Sequence, residues 1–249
     1  MTNSTINSML NHRSIRSYLD KKISETDINS IIEATRVAPT SINAQPLSVL
    51  SIEDKELRKK VADLSWGQQH IIDCSHFLVF IMDFNKSDIA CRKQNTELKI
   101  QESIESIMAG SVDIGIALGS AIVASESLGL GTCCIGAVRN SPEEMAKVLN
   151  LPKNTFAVVG LCIGYINTSV PSATKPKMPV EGFLMKNIYD NSIVQENIIK
   201  YDNIMQTYFK ERGEGDDKSW SGTVAKFFNN IYYPNVYPTL IKQGFNTNK

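Results

Sequence analysis

The stretch 112–128 constrains this chain more than any other. Val112, Ile114, Ile116, Leu118, Ile122 and Val123 alternate with Gly, Ala and Ser, so a helix here is apolar around most of its circumference. Such a helix must be covered on nearly every side. It lies in the middle of a core, against a partner subunit, or both. Asp113 and Glu126 interrupt it, which favours a buried helix over a membrane span. With 249 residues the chain buries roughly 70–75% of its unfolded surface, so a core of that kind is available. Twenty-six basic residues balance twenty-six acidic ones. A chain of zero net charge is a poor candidate for general nucleic-acid or anionic-membrane binding, though a local basic pocket remains compatible. Five cysteines, with no C-x-x-C spacing, read as buried thiols in a reducing compartment. The amino terminus lacks a basic region followed by a long apolar one, and a cytoplasmic protein is expected.

The remaining periodicities predict a helix ending near Asn11 and His12, then an extended segment over 13–18. Ser24, with Asp27 three residues on, starts a second helix that Pro39 stops. A polar loop bounded by Pro39 and Pro46 precedes a strand at 47–52, and Asp54 caps the next helix. The unbroken apolar run 77–82 reads as a central strand buried on both faces. Two helices are expected at 95–108 and 112–128, a strand at 132–138, and a helix opened by Ser141-Pro142-Glu143-Glu144 with a capping box. A strand at 156–166, a Pro/Lys/Ser/Thr loop at 168–179 and a long helix at 194–212 complete the ordered part. Few strands and many helices make the class α+β. No repeat or linker divides the chain, so one domain over 1–249 is expected, with 194–249 as a helical excursion and carboxyl-terminal arm.

Much chemistry is absent. Gly129-Leu130-Gly131 leads into a strand and lacks a third glycine, so it is no dinucleotide fingerprint. There is no Walker loop or G-x-S-x-G elbow, and His12, His70 and His76 lack metal-ligand spacing. Cys133 and Cys134 read as small core residues. His12-Arg13-Ser14-Ile15-Arg16 is different, because two guanidiniums, an imidazole and a hydroxyl suit an oxyanion. A solvated basic turn at a helix end fits the same residues. Lys175-Pro176-Lys177 is a second compact basic group, or an exposed loop. Gly136 and Gly164 stand out as well. A bare backbone within 134–137 can approach a flat ligand, and a tight strand end is equally consistent.

Together these elements resemble the FMN-dependent nitroreductase family, in its branch of oxygen-insensitive NAD(P)H nitroreductases and flavin reductases. The likeness rests on His12-Arg13-Ser14-Ile15-Arg16, Trp66-Gly67-Gln68-Gln69-His70, Ala124-Ser125-Glu126-Ser127-Leu128-Gly129-Leu130-Gly131, Ile135-Gly136-Ala137-Val138-Arg139-Asn140, Gly160-Leu161-Cys162-Ile163-Gly164 and Lys175-Pro176-Lys177, in order along the whole chain. The resemblance implies a mainly antiparallel sheet flanked by helices, and a homodimer with an FMN per subunit at the interface. It also implies a carboxyl-terminal extension that wraps the partner. His12, Arg13, Ser14, Lys175 and Lys177 would surround the FMN phosphate and ribityl chain, and Arg16 the pyrimidine edge. Thr40, Ser41 and Asn43 would arrive from the other subunit, Gln68 would meet the ring edge, and the backbone of Cys134, Ile135, Gly136 and Ala137 the central ring. No catalytic side chain is implied, because hydride chemistry belongs to the flavin. NADPH or NADH would reduce FMN in a ping-pong cycle, and nitro compounds, quinones or free flavin would take the electrons.

Three departures matter. Gly136-Ala137 replaces a glycine pair, and Lys177 replaces an arginine, losing a bidentate grip. The loop Gly213-Glu214-Gly215-Asp216-Asp217-Lys218 is acidic where NADPH-preferring relatives carry arginines, so a weakened NADPH preference is expected. Arg212 and Lys218 remain as cations able to hold a nucleotide phosphate. A dedicated flavin, quinone or disulfide reductase of this fold, or a non-catalytic FMN-binding protein, fits the same residues.

Overall fold

The computed structural model describes residues 3–215 and 218–247. It divides into two compact units, Met1–Ser172 with Asn235–Lys249, and Ala173–Pro234. The excursion expected from about residue 194 therefore begins at Ala173, and the carboxyl-terminal stretch belongs to the first unit.

The first unit is organised on four antiparallel strands, β1 (Leu47–Ser51), β2 (His76–Asp83), β3 (Leu130–Ile135) and β4 (Thr155–Tyr165), in the order β1-β2-β4-β3. In β2, Phe77, Val79 and Ile81 enter one core cluster while Leu78, Phe80 and Met82 enter another. Period-two alternation thus feeds two apolar layers, one on each face of the sheet. Helices α2 (Glu25–Arg36) and α6 (Ile104–Ser127) supply residues to the layer holding Phe80. Helices α3 (Lys55–Leu64) and α7 (Pro142–Val148) supply the layer holding Phe77. The first unit also holds α1 (Ser4–Leu10), α4 (Gln69–Asp73) and α5 (Asn85–Lys93). Helix α11 (Val236–Gln243) ends at Gly244, whose φ of 105° turns the chain so that Phe245 enters the core against Phe84.

The caps expected at Ser24 and Asp54 form: Ser24 Oγ accepts from the amide of Asp27 at 3.0 Å, and Asp54 Oδ1 from that of Leu57 at 2.7 Å. Ser141 does not cap α7; its hydroxyl lies 3.2 Å from the Asn140 side-chain amide, and Pro142 alone marks the helix start. The two helices expected at 95–108 and 112–128 are one, α6, and α5 was not anticipated. Asn95 adopts φ of 55° just beyond α5, so it marks the end of a helix rather than a beginning. Gly110 does not break α6. A Cβ there would lie 3.0 Å from Met82 Cγ, so the glycine permits close approach to β2. The strand expected at 132–138 begins two residues sooner and ends at Ile135, where Gly136–Arg139 forms a 3-10 turn that buries Ala137 and Val138.

In the second unit, α8 (Val180–Phe183), α9 (Asn191–Glu211) and α10 (Trp220–Phe228) follow an irregular segment. Helix α9 buries Tyr201, Met205 and Phe209, with Met178, Tyr208 and Trp220 packed against them. This small cluster is its only core among the described residues.

Candidate functional site

Segment 13–18 is laid along the outer edge of the sheet. Ser14 bridges Thr132, the Ile15 amide donates to the Thr132 carbonyl at 2.8 Å, and Tyr18 bridges Ile166. Two cross-strand partners, Gly131 and Gly164, make this possible. A Cβ on Gly131 would come within 2.7 Å of Ile15, and one on Gly164 within 2.6 Å of Tyr18. Gly164 is thus required by the Tyr18 ring rather than by a ligand. With Ile15 and Tyr18 buried, Ser14 and Arg16 are turned out to solvent.

Around this segment the polar groups are tied together. His12 Nδ1 lies 2.7 Å from Glu126 Oε1, in the last turn of α6, and Thr132 Oγ1 donates to the same oxygen at 2.9 Å. Arg13 Nε donates to Ser172 Oγ at 2.9 Å. The positive charge of Arg16 reaches α4: His70 is held below its ordinary value by burial first and by Arg16 second. Imidazole, guanidinium and hydroxyl in succession, on a segment fixed by backbone bonds, form a donor set of the kind that grips a phosphate. Glu126 was legible only as part of a motif, and its role as the partner of His12 was not. The signal was an acid in the last turn of a helix, where the end carbonyls disfavour negative charge.

Near the end of β3, Cys134 is exposed, not a core residue as expected, while Cys133 is buried. Ile135 is buried, and the turn Gly136–Arg139 follows it. Asn140 donates to the Leu64 carbonyl at 3.2 Å, so this turn meets the end of α3. The chain there passes through Trp66 and Gly67, both left-handed, to Gln68 at the start of α4. Arg139 donates to the carbonyl of Val158, the extra residue where the β2–β4 register slips.

The loop carrying Thr40, Ser41 and Asn43 is strained. Ile42, Asn43 and Gln45 all have φ near +50°, and Ile42, a β-branched residue in that region, is 94% exposed. Thr40 Oγ1 accepts from the Gln45 amide at 3.2 Å, and the Ser41 amide donates to both carboxylate oxygens of the buried Asp113 at 3.2 and 3.3 Å. Asp113, which the sequence offered only as an interruption of an apolar helix, is what fixes this loop to α6.

In the second unit Lys175 and Lys177 are exposed on either side of Pro176, whose carbonyl accepts from Tyr201 Oη at 2.8 Å. Arg212 Nε donates to Glu214 Oε1 at 3.0 Å, and Lys218 Nζ lies 4.0 Å from Glu214 Oε2. Asp216 and Asp217 of the same acidic loop lie outside the described residues.

Two family models match this chain: the nitroreductase family over residues 9–165, and the nitroreductase family C-terminal domain over 175–248. The chain belongs to the nitroreductase family. It is 41% identical to a Bacillus subtilis protein named FMN reductase, NAD(P)H, covering 99% of this chain and 100% of the relative. It is 31% identical to the oxygen-insensitive NADPH nitroreductase of Salmonella typhimurium, over 98% of each. Among solved structures, NfrA2 of B. megaterium superposes with a TM-score of 0.95 at 38% identity, covering 100% of both chains.

Proposed function

We propose that this chain is an FMN-dependent oxidoreductase that takes electrons from NAD(P)H and delivers them to small-molecule acceptors such as free flavin, nitro compounds or quinones. The observation that carries the reading is the fixed succession His12, Arg13, Ser14 on the edge of β3, in a member of this family. The donor set fits FMN. A phosphate calls for an imidazole, a guanidinium and a hydroxyl, and the flat ring calls for an open strand end such as 134–137.

In this reading His12, Arg13 and Ser14 hold the phosphate and ribityl chain, and Lys175 and Lys177 give the second unit a basic pair of its own suited to an anion. Tyr201 stiffens the basic pair by holding the carbonyl between them. Arg16, exposed and charged, faces the pyrimidine edge, where a fixed cation stabilises developing negative charge without reorganisation. Gln68 meets the ring edge, and the backbone of Cys134, Ile135, Gly136 and Ala137 lies along the ring. Bound FMN supplies the hydride chemistry. The protein supplies orientation, charge and an open face, and needs no nucleophile of its own.

The working unit is a homodimer. The outer face of α6 exposes Ile104, Met108, Val112 and Ile116 at successive helical turns, with Val112 60% exposed. By length and composition the helix is apolar enough to cross a membrane, but its inner face is packed on the sheet, and a second copy covers the outer stripe. Thr40, Ser41 and Asn43 then reach the flavin of the partner subunit. Initial rates measured with NADH or NADPH against an acceptor give parallel double-reciprocal lines, as expected for ping-pong turnover; intersecting lines contradict the reading.

A further inference from the structure

Glu126 occupies a position that α6 disfavours. A carboxylate in the last helical turn faces the unpaired end carbonyls, and an acid retained there points to a task elsewhere. The side chain is 13% exposed, and one oxygen, Oε1, is engaged twice, by His12 Nδ1 at 2.7 Å and by Thr132 Oγ1 at 2.9 Å. A carboxylate only accepts, so the proton between Glu126 and His12 is carried on Nδ1. The tautomer and ring plane of His12 are thereby set. Its other nitrogen, Nε2, makes no hydrogen bond among the described residues, and the side chain is 38% exposed.

We propose that Glu126 is the positioning residue of the phosphate site. It holds His12 by Nδ1, Thr132 fixes the carboxylate in turn, and Nε2 is presented, already oriented, to the FMN phosphate. The proposal rests on the FMN reading above. A purely structural task for Glu126, holding segment 13–18 against β3, is already discharged by other contacts. The Ile15 amide bonds to Thr132, Ser14 bridges Thr132, and Ile15 fills the space left by Gly131. Losing the carboxylate leaves the segment docked and frees only the imidazole. The cost then falls on ligand binding, because an unoriented ring must be ordered when the phosphate arrives.

The test uses the full chain stripped of flavin and compares dissociation constants for FMN and for riboflavin, which has the ring and ribityl chain but no phosphate. Glu126→Ala weakens FMN about tenfold, the lower end of losses seen when the residue orienting a ligating histidine is removed. It leaves riboflavin binding unchanged. Glu126→Gln keeps an acceptor oxygen for Nδ1 and restores most of the affinity. His12→Ala weakens FMN at least as much, and the double variant is no worse than His12→Ala, because the two residues act as one unit. Thr132→Val, which keeps side-chain shape, gives a smaller loss of the same FMN-selective kind and serves if Glu126→Ala does not fold. Equal weakening of FMN and riboflavin, additive losses in the double variant, or unchanged FMN affinity in Glu126→Ala beside a weakened His12→Ala overturns the proposal and leaves the FMN reading standing. Unchanged FMN affinity in His12→Ala removes the phosphate site itself, and the proposal with it.

Discussion

The two faces of α6 do different work with the same kind of helix. The inner face buries Ser106, Gly110, Asp113, Ile114, Ala117, Ala121 and Ser125, all but Ile114 small or polar residues that bring the helix close to its neighbours. Two acids of the helix each fix one piece of the candidate site, Asp113 the strained loop at 41–45 and Glu126 the imidazole of His12. The outer face carries the large apolar side chains of Ile104, Met108, Val112 and Ile116, all exposed. Burial inside one chain thus goes with close approach and placed polar groups, whereas the exposed face, assigned above to the proposed dimer, keeps bulk. The comparison explains why a helix apolar almost all round is read equally well from sequence as a core helix or as an interface helix. In the proposed dimer it is both, on opposite sides.

The largest effect is expected on the outer face. Val112→Asp places a charge in the proposed interface while leaving the inner packing intact. Light scattering then finds monomer, activity falls to a few per cent or less, and the far-ultraviolet circular dichroism is unchanged. A fully active dimer breaks the distinction between the faces. On the inner face, Asp113→Ala removes the acceptor of the Ser41 amide. A buried partner lost in this way costs about 1–3 kcal/mol. The loop relaxes from its left-handed backbone, and kcat/KM for the acceptor falls by about tenfold while the protein stays dimeric. Unchanged kinetics would show that the loop takes no part in the site. The smallest effect lies away from α6. Glu214 engages both Arg212 and Lys218, leaving neither cation free for a nucleotide phosphate. The unmodified enzyme accordingly shows no strong preference for NADPH over NADH in kcat/KM. Glu214→Gln raises the preference for NADPH by roughly two- to fivefold, the scale of an exposed ion pair.

What the sequence revealed follows the range of the forces involved. Caps at Ser24 and Asp54, the buried alternation of β2 and the consecutive donors of 12–16 are local, and a single segment displays them. Gly110 shows the limit. It lies between the two helices expected from sequence, and only the fold shows that it is inside one continuous helix and faces Met82 on a strand far away in sequence. Cys134 failed for a similar reason: an apolar run does not reveal which of its residues the fold leaves exposed. The candidate site divides in the same way. Its donors at 12–16 announce themselves in one short cluster, while the roles of Asp113 and Glu126, which hold loop and imidazole from α6, are silent without the fold.

The central claim is that this chain carries a flavin which NAD(P)H reduces. The most direct measurement is the anaerobic visible spectrum of the protein reconstituted with FMN, taken before and after NADH or NADPH and again after an acceptor. The account predicts one tightly held FMN per chain, loss of its yellow absorbance on adding the nucleotide, and its return with the acceptor. A protein that does not bind FMN, or one whose bound flavin keeps its colour with both nucleotides, contradicts it.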